Sequence, residues 1–358
     1  MKIHFIISTL KGGGAERVLS ILATAFADRD NYEITVLTLN KCKDYYKLPC
    51  YIKRISLHKG RIANHKMRSI YNLTKFYYHK KNRPDLIISF ITLTNFITIP
   101  VAKLYSIKII VEEHNSYLRS MKNREFITNI TKKYFYKKAN LLTVLTTFDV
   151  AYYKKYGANV VVMPNPCSFP PIKIQPQNRE KVILAIGKLD KYYHKGFDNL
   201  IELIAPILKS NPDWKLKIAG SGDKGYELLN KLSKKLEVSD RILFTGFVSN
   251  ISELMLNSSI FILPSRFEGL PMVLLEAMSQ GMACISYDCK TGPSDIITNN
   301  VNGLLIEDQN KKEMQNNLQN LINDETLRQY LSKNAIKSLD KYQIDTIIKN
   351  YESVFEKL

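Results

Sequence analysis

The sequence predicts an α/β protein built from two doubly wound domains. Three observations carry that prediction. Short β-branched runs alternate with longer helical patterns, the alternation breaks once at a proline cluster and then restarts, and 358 residues at 45% hydrophobic suffice for two cores. Buried parallel strands read as continuous apolar runs. In the first half these are Lys2–Ser8, Glu33–Leu39, Asp85–Phe90, Ile107–Glu112 and Leu141–Leu145. Pro164, Pro166, Pro170 and Pro171 then make a stiff connection. The second series is Val182–Gly187, Lys215–Ala219, Ile242–Thr245, Ser259–Leu263 and Ala283–Tyr287. The expected division is residues 1–166, residues 167–340 and a closing helix over 341–358 that packs back towards the first domain. Two open sheets joined by a hinge would place a ligand in the cleft between them, beside the carboxyl ends of strands.

Bulk properties narrow the class. The opening run Met1–Ser8 meets Lys11 and three glycines before any small-residue cleavage site can form, so it reads as a strand and not a signal peptide. No apolar stretch approaches the roughly 18 to 20 residues of a membrane-spanning helix, and a soluble or peripheral protein is expected. Cys42, Cys50, Cys167, Cys284 and Cys289 form an odd set without a C-x-x-C pair, which suggests neither a disulfide framework nor a zinc site and fits a reducing cytoplasm. The net charge is +19, and its placement is uneven. Residues 1–170 hold 28 Lys/Arg against 10 Asp/Glu, a net +18, whereas residues 171–358 hold 24 against 23, a net +1. A general lysine bias would load both halves alike. The excess points to an anionic partner of the N-terminal half, whether nucleic acid, an anionic membrane surface or a phosphorylated substrate; a solvated basic face is the plain alternative.

Four segments have the residue types for a ligand site. Gly12-Gly13-Gly14 follows the first strand and leads into a helix over Ala15–Phe26, where glycines and unpaired N–H groups suit phosphate; a tight strand-to-helix turn explains them equally. A nicotinamide enzyme would want an acidic residue at the end of the second strand, which here reads Thr38-Leu39-Asn40-Lys41. In the second half, Lys188 and Lys195 flank a loop after a strand, and two cations there suit a departing diphosphate, although either lysine alone reads as a solvated surface residue. The densest segment is Pro264 to Met278. Pro271 suits the first turn of a helix, which puts Glu268 in the preceding loop and Glu276 inside, flanked by Leu274, Leu275, Ala277 and Met278.

Arg266 to Met278 resembles the E-x7-E signature of retaining GT-B glycosyltransferases, in particular glycosyltransferase family four. Gly187-Lys188-Leu189 with Lys195 resembles that family's G-R/K-L-x-x-x-K-G segment, Gly12 to Arg17 its G-G-A-E-R turn, and Glu113-His114-Asn115 its E-H-x segment. Thr291 to Ile297 looks like a loop and helix of bacterial surface-polysaccharide members, and the matches run in family order along essentially the whole chain. The resemblance implies a GT-B fold, two Rossmann-like domains facing across a cleft. It implies that Glu268 contacts hydroxyls of the transferred sugar and Glu276 binds the nucleotide ribose. Lys188 and Lys195 would hold the diphosphate with backbone N–H groups near Gly13 and Gly14, Gly269 and Leu270 would line the donor site, and His114 would contact the donor sugar. Catalytic roles would fall to Glu268, His114 and Lys195. Lys188 stands where many relatives have Arg, which keeps the charge without the bidentate geometry. Retention and independence of metals and cofactors follow from the family, and the lack of a D-x-D pair in a suitable loop agrees.

The family places the acceptor on the N-terminal side, the basic side here. Arg61–Arg83 reads as a helix with Arg61, His65, Arg68, Asn72, Lys75 and His79 on one face, and Tyr117–Lys138 mixes aromatics with Lys122, Arg124, Lys132, Lys133, Lys137 and Lys138. Both read either as ordinary surface helices or as basic amphipathic elements that dock on an anionic inner leaflet and engage a polyprenyl-linked pyrophosphate. The expected function is transfer of a hexose or N-acetylhexosamine from a nucleotide sugar, with UDP the expected carrier, to a lipid-linked glycan, by a cytoplasmic enzyme peripheral to the membrane. The alternatives are a sugar-nucleotide epimerase of the same fold and, from another class, a nucleic-acid-binding protein, which accounts for the charge but not for the paired glutamates.

Overall fold

The computed structural model describes residues 1–119, 125–176 and 178–358. The chain forms two compact units, Met1–Pro166 with Ile344–Leu358, and Cys167–Gln343.

The first unit is a seven-stranded parallel sheet. Its strands are β1 (Lys2–Ile7), β2 (Glu33–Thr38), β3 (Lys53–Ser56), β4 (Leu86–Phe90), β5 (Lys108–Glu113), β6 (Leu141–Val144) and β7 (Val160–Val162), in the order β3-β2-β1-β4-β5-β6-β7. The apolar runs in the sequence are its inner strands; β4, for example, is buried at every position. The edge strands β3 and β7 escape that pattern because they are short and only partly covered. Among the described residues the helices are α1 (Gly14–Ala27), α2 (His65–Tyr78), α3 (Thr92–Leu104), α4 (Glu125–Ile130) and α5 (Val150–Lys155).

The expected helix over 61–83 is shorter in the structure. Asn64 caps α2 by accepting from the N–H groups of Lys66 and Met67, which leaves Arg61 outside the helix. The polar face expected there is partly inward: Asn72 donates to the carbonyls of Leu57 and Lys59, and Arg68 to that of Ile62. The helix closes at Tyr78, and Arg83 folds back onto the Tyr77 carbonyl.

The second unit is a six-stranded parallel sheet of β8 (Glu180–Ile186), β9 (Lys215–Ala219), β10 (Ile242–Gly246), β11 (Ser258–Leu263), β12 (Ala283–Tyr287) and β13 (Leu304–Ile306), in the order β10-β9-β8-β11-β12-β13. Its helices are α6 (Tyr192–Lys195), α7 (Phe197–Ser210), α8 (Asp223–Lys235), α9 (Ile251–Asn257), α10 (Met272–Ser279), α11 (Pro293–Ile296), α12 (Lys311–Asn323) and α13 (Glu325–Lys337). The final helix, α14 (Ile344–Phe355), belongs to the first unit: Phe355 stacks on Phe26 of α1, and Asp345 pairs with Arg29. Strand order reverses between β1 and β4 in one sheet and between β8 and β11 in the other, and open α/β sheets bind ligands beyond the carboxyl ends of strands at such points.

Candidate functional site

In the second unit the chain leaves β11 as Pro264-Ser265-Arg266-Phe267-Glu268, and the loop after β8 carries Lys188 and Lys195. Lys195 Nζ lies 2.7 Å from Glu268 Oε1, and Ser265 Oγ donates to the same oxygen at 2.6 Å. Two donors converge on one carboxylate oxygen. Glu268 Oε2 makes no hydrogen bond to any described residue. The Glu268 side chain is 9% exposed and that of Lys195 23%, so the pair sits just under the surface, where charge-assisted bonds are strong and a ligand can still reach them.

Neighbouring residues impose this geometry. Arg266 forms a two-pronged pair with Asp198 at 2.7 and 3.0 Å, donates to the Tyr193 carbonyl and covers the Tyr193 ring at 4.3 Å. Its own N–H donates to the His194 carbonyl, so Arg266 ties the α6 turn to the Glu268 loop. Gly196 follows Lys195 at φ 67°, and a Cβ there would fall on the Pro264 carbonyl; only glycine lets these segments approach. On the other side Thr291 Oγ1 donates to the Glu268 carbonyl at 2.6 Å, and Gly292, at φ 97°, lies against the Gly269 carbonyl. Behind the loop, burial first and then the Glu268 and Asp308 charges push the Cys289 thiol up to about 12. It stays neutral there.

Lys188 is exposed at the start of the 3-10 turn Leu189–Lys191, Leu270 is buried, and Gly269 is half-buried. Glu276 is 1% exposed inside α10, the environment its apolar neighbours in sequence require. Pro271 stands one residue earlier than its expected place, at the N-cap of α10.

In the first unit Gly13 caps α1 in an extended conformation, and Gly14 is exposed. The Glu16 carboxylate lies where a Gly13 side chain would be, so the first turn of α1 already faces an anion. A phosphate at these N–H groups has to displace it. His114 follows β5, stacked on Phe90 with ring centroids 5.2 Å apart. Its Nε2 is 3.0 Å from Glu112 Oε2, Nδ1 is buried without a hydrogen-bond partner, and the side chain is 6% exposed. Glu112 in turn accepts from Tyr351 of α14 at 2.5 Å. Glu113 accepts from Thr92 and Tyr136, both at 2.7 Å. Burial raises the pKa of nearby Asp149 despite donation from the Tyr117 N–H, Ser116 and Thr146.

The basic residues divide. Arg61, His65 and Lys75 are exposed, while Arg68 is half-buried against the Ile62 carbonyl. Lys132 corrects the expectation of a surface contact: it is 3% exposed and donates to the Tyr117 carbonyl, because the chain winds into the π-helical turn Thr131–Phe135 that turns it inward. Lys133 is half-buried over the Tyr156 ring. Met121, Lys122 and Arg124 lie outside the described residues.

Sequence reading missed Ser265, Thr291, Asp198, Glu112 and Tyr351 as parts of these networks. Ser265 and Thr291 stood inside matched segments, and the Glu112-Glu113 pair at the end of an apolar strand was a signal, since carboxylates buried in a sheet require partners.

With this geometry in place, the matches to known proteins fall into register. Residues 12–168 match the model described as Glycosyltransferase Family 4, and residues 171–338 match Glycosyl transferases group 1. The chain is 31% identical over 97% of its length, and 96% of the relative's, to the Campylobacter jejuni GalNAc-alpha-(1->4)-GalNAc-alpha-(1->3)-diNAcBac-PP-undecaprenol alpha-1,4-N-acetyl-D-galactosaminyltransferase. It is 30% identical to the amylovoran biosynthesis glycosyltransferase AmsD of Erwinia amylovora, covering 96% and 95% of the two chains. The solved structure of Anabaena HepE in complex with UDP-glucose superposes with a TM-score of 0.79 at 18% identity, covering 100% of both chains. The fold and the matched segments define a glycosyltransferase of the GT-B class. Within that class, the chain belongs to glycosyltransferase family four.

Proposed function

We propose that this enzyme transfers a hexose or N-acetylhexosamine from a UDP-sugar to a polyprenyl-pyrophosphate-linked or other lipid-linked glycan, with retention and without a metal or cofactor, in bacterial surface-glycan assembly. The observation that carries the reading is the Glu268 carboxylate, with one oxygen held by Lys195 and Ser265 and the other left for a ligand hydroxyl. Glu268 orients the transferred sugar. Lys195, joined by Lys188, meets the diphosphate and stabilises the charge that grows on it as the glycosidic bond breaks. The acceptor hydroxyl attacks the anomeric carbon on the face from which UDP departs, and its proton passes to the leaving phosphate oxygen. Glu276 binds the ribose. The UDP of the HepE complex and the PP-undecaprenol glycan named for the Campylobacter relative support these choices of donor and acceptor.

The enzyme works from the inner face of the membrane. No helix among the described residues is long and apolar enough to cross a bilayer. Met67, Tyr71 and Tyr78 are exposed on α2, Phe126 on α4 and Tyr134 just beyond it, beside the exposed lysines Lys75 and Lys137. Apolar tips with flanking cations suit an anionic lipid surface.

A thermal-shift panel of nucleotide sugars tests the donor. One UDP-sugar raises the unfolding midpoint in proportion to its affinity, with or without EDTA; no shift with any UDP- or GDP-sugar overturns the reading. Flotation with liposomes tests the membrane contact, and equal partitioning with and without anionic lipid removes it.

A further inference from the structure

All strands of the first sheet run parallel, so their amino ends share one side, and the connecting helices finish on that side. A row of cations lies there. Lys80 and Lys81 precede β4, and Lys103 and Lys108 stand at the passage from α3 into β5. Lys137 and Lys138 precede β6, and Lys154 and Lys155 close α5 ahead of β7. All eight are exposed, and none forms an ion pair with a described residue. Across residues 79–85, 103–108, 137–140 and 154–159 the one carboxylate is Asp85, which accepts from the Lys2 N–H. Part of the charge excess of the N-terminal half therefore sits away from the carboxyl ends of the strands, where open α/β sheets bind their ligands.

The amino end of the second sheet is built differently. Lys181 pairs with Asp213 at 2.9 Å, Lys209 with Glu237 at 3.2 Å, Lys217 with Glu180 at 2.7 Å and Arg241 with Asp240 at 3.2 Å. In the first sheet Lys2 of β1 likewise pairs with Glu33 of β2, at 3.5 Å, so the unpaired row is confined to β4 through β7. Helix C-termini favour cations, but that preference acts in both units and does not strip one of them of carboxylates. Like charges side by side repel, a cost that a bound anion reverses.

The chemistry of the row selects its partner. With strands about 4.8 Å apart, β4 to β7 spread over roughly 15 Å, the reach of about four to five extended residues. Lys137 lies over the Tyr134 ring and Lys138 over that of Phe135, 5.8 and 5.7 Å from the centroids, which holds two of the cations in place. Leu104, 65% exposed, follows Lys103. A phosphate backbone has no use for an aliphatic side chain among cations, whereas a peptide bearing carboxylates around an apolar residue has. A bilayer against this end would face away from the carboxyl ends of the strands, and the lipid contact proposed above lies on the flanks of α2 and α4 instead. We propose that the amino end of the first sheet, across β4 to β7, is a docking surface for an acidic segment of a partner protein that carries an apolar side chain. Docking there leaves the donor site open, so the partner holds the enzyme in place without entering the reaction. The proposal stands apart from the transferase reading.

The test uses the full chain and a short labelled peptide of glutamates around one leucine, followed by fluorescence anisotropy at physiological salt. Lys103→Glu, Lys108→Glu, Lys154→Glu and Lys155→Glu together weaken the peptide at least about twentyfold, because a favourable field becomes a repulsive one. Lys231→Glu, Lys234→Glu, Lys333→Glu and Lys337→Glu reverse the same number of exposed lysines in the second unit. That set weakens the peptide less than about threefold, since it changes the net charge equally but not the row. Unfolding midpoint and UDP affinity stay unchanged in both. The proposal is overturned if the peptide does not bind, if the two sets weaken it equally, or if polyuridylate displaces it at equal charge. It is also overturned if the first set lowers flotation with phosphatidylglycerol vesicles more than the second, which would make the row a lipid contact. UDP affinity is read in the same samples: its absence removes the transferase reading and leaves the docking surface standing.

Discussion

The two units handle carboxylates in opposite ways near the carboxyl ends of their strands. Beyond β11, Glu268 is paired with a lysine, partly exposed, and held through one oxygen only. At the end of β5, Glu112 and Glu113 are 3% and 2% exposed: Glu112 meets the Tyr351 hydroxyl with one oxygen and His114 with the other, while Glu113 takes the Thr92 and Tyr136 hydroxyls on Oε2 and keeps Oε1 buried without a hydrogen-bond partner. A mobile cation near the surface can be exchanged for a substrate, whereas neutral hydroxyls in a closed interior cannot leave without exposing a buried charge. The first arrangement suits chemistry. The second frames a wall and ties α14 to the sheet.

The sharpest way to break this contrast is Glu268→Gln. Turnover falls by about two to three orders of magnitude, as when one group aimed at a reacting centre is lost, while UDP affinity measured by calorimetry stays within about threefold. Glu276→Gln shows the reverse weighting, and equal effects of the two on UDP affinity would erase the division of roles.

The next effect is confined to the first unit. His4 of β1 sits 2.9 Å from the Tyr77 hydroxyl, and burial, then Lys53 and Lys2, lower its pKa from 6.5 to about 4. Between those values the unfolded chain binds a proton that the folded chain does not, so stability falls as the pH drops through this window, by up to about 3 kcal/mol. Hydrogen exchange, corrected for its intrinsic pH dependence, should show β1 losing protection towards pH 4 while β8 holds. His4→Asn should flatten the β1 profile, and identical profiles for both strands would contradict the assignment.

Tyr351→Phe leaves Glu112 with one partner fewer. The unfolding midpoint should drop by the equivalent of about 2 kcal/mol with UDP affinity unchanged, since a buried charged acceptor loses its donor. An unchanged midpoint would mean that the short bond contributes nothing to the frame. Smallest is Ser265→Ala, with kcat down about fivefold at unchanged KM for the donor and partial recovery in Ser265→Thr, because only the orientation of Glu268 relaxes. A loss in KM alone would assign Ser265 to binding instead.

Much of this was legible before any coordinates. The inner strands announced themselves as apolar runs, and the segments holding Lys188, Lys195, Glu268 and Glu276 carried the family resemblance, because a signature is a set of residue types close together in the chain. Lys132 reads as a surface cation in any helical pattern, and only the π-helical turn sends it inward to the Tyr117 carbonyl. Arg61 and Asn72 likewise share a face only if the helix begins four residues earlier than the Asn64 cap allows.

By itself, the sequence determined the two α/β units, the charge imbalance between them and the family signature, all set by local periodicity and residues close in the chain. The tertiary structure alone decided that Lys195 and Glu268 meet at 2.7 Å, that Tyr351 reaches Glu112 across 239 positions, and that Lys81, Lys108, Lys138 and Lys155 gather at one end of the first sheet. Those pairings depend on strand order and on which residues can approach across loops. No local pattern encodes that, because packing chooses among many partners of the same chemical type.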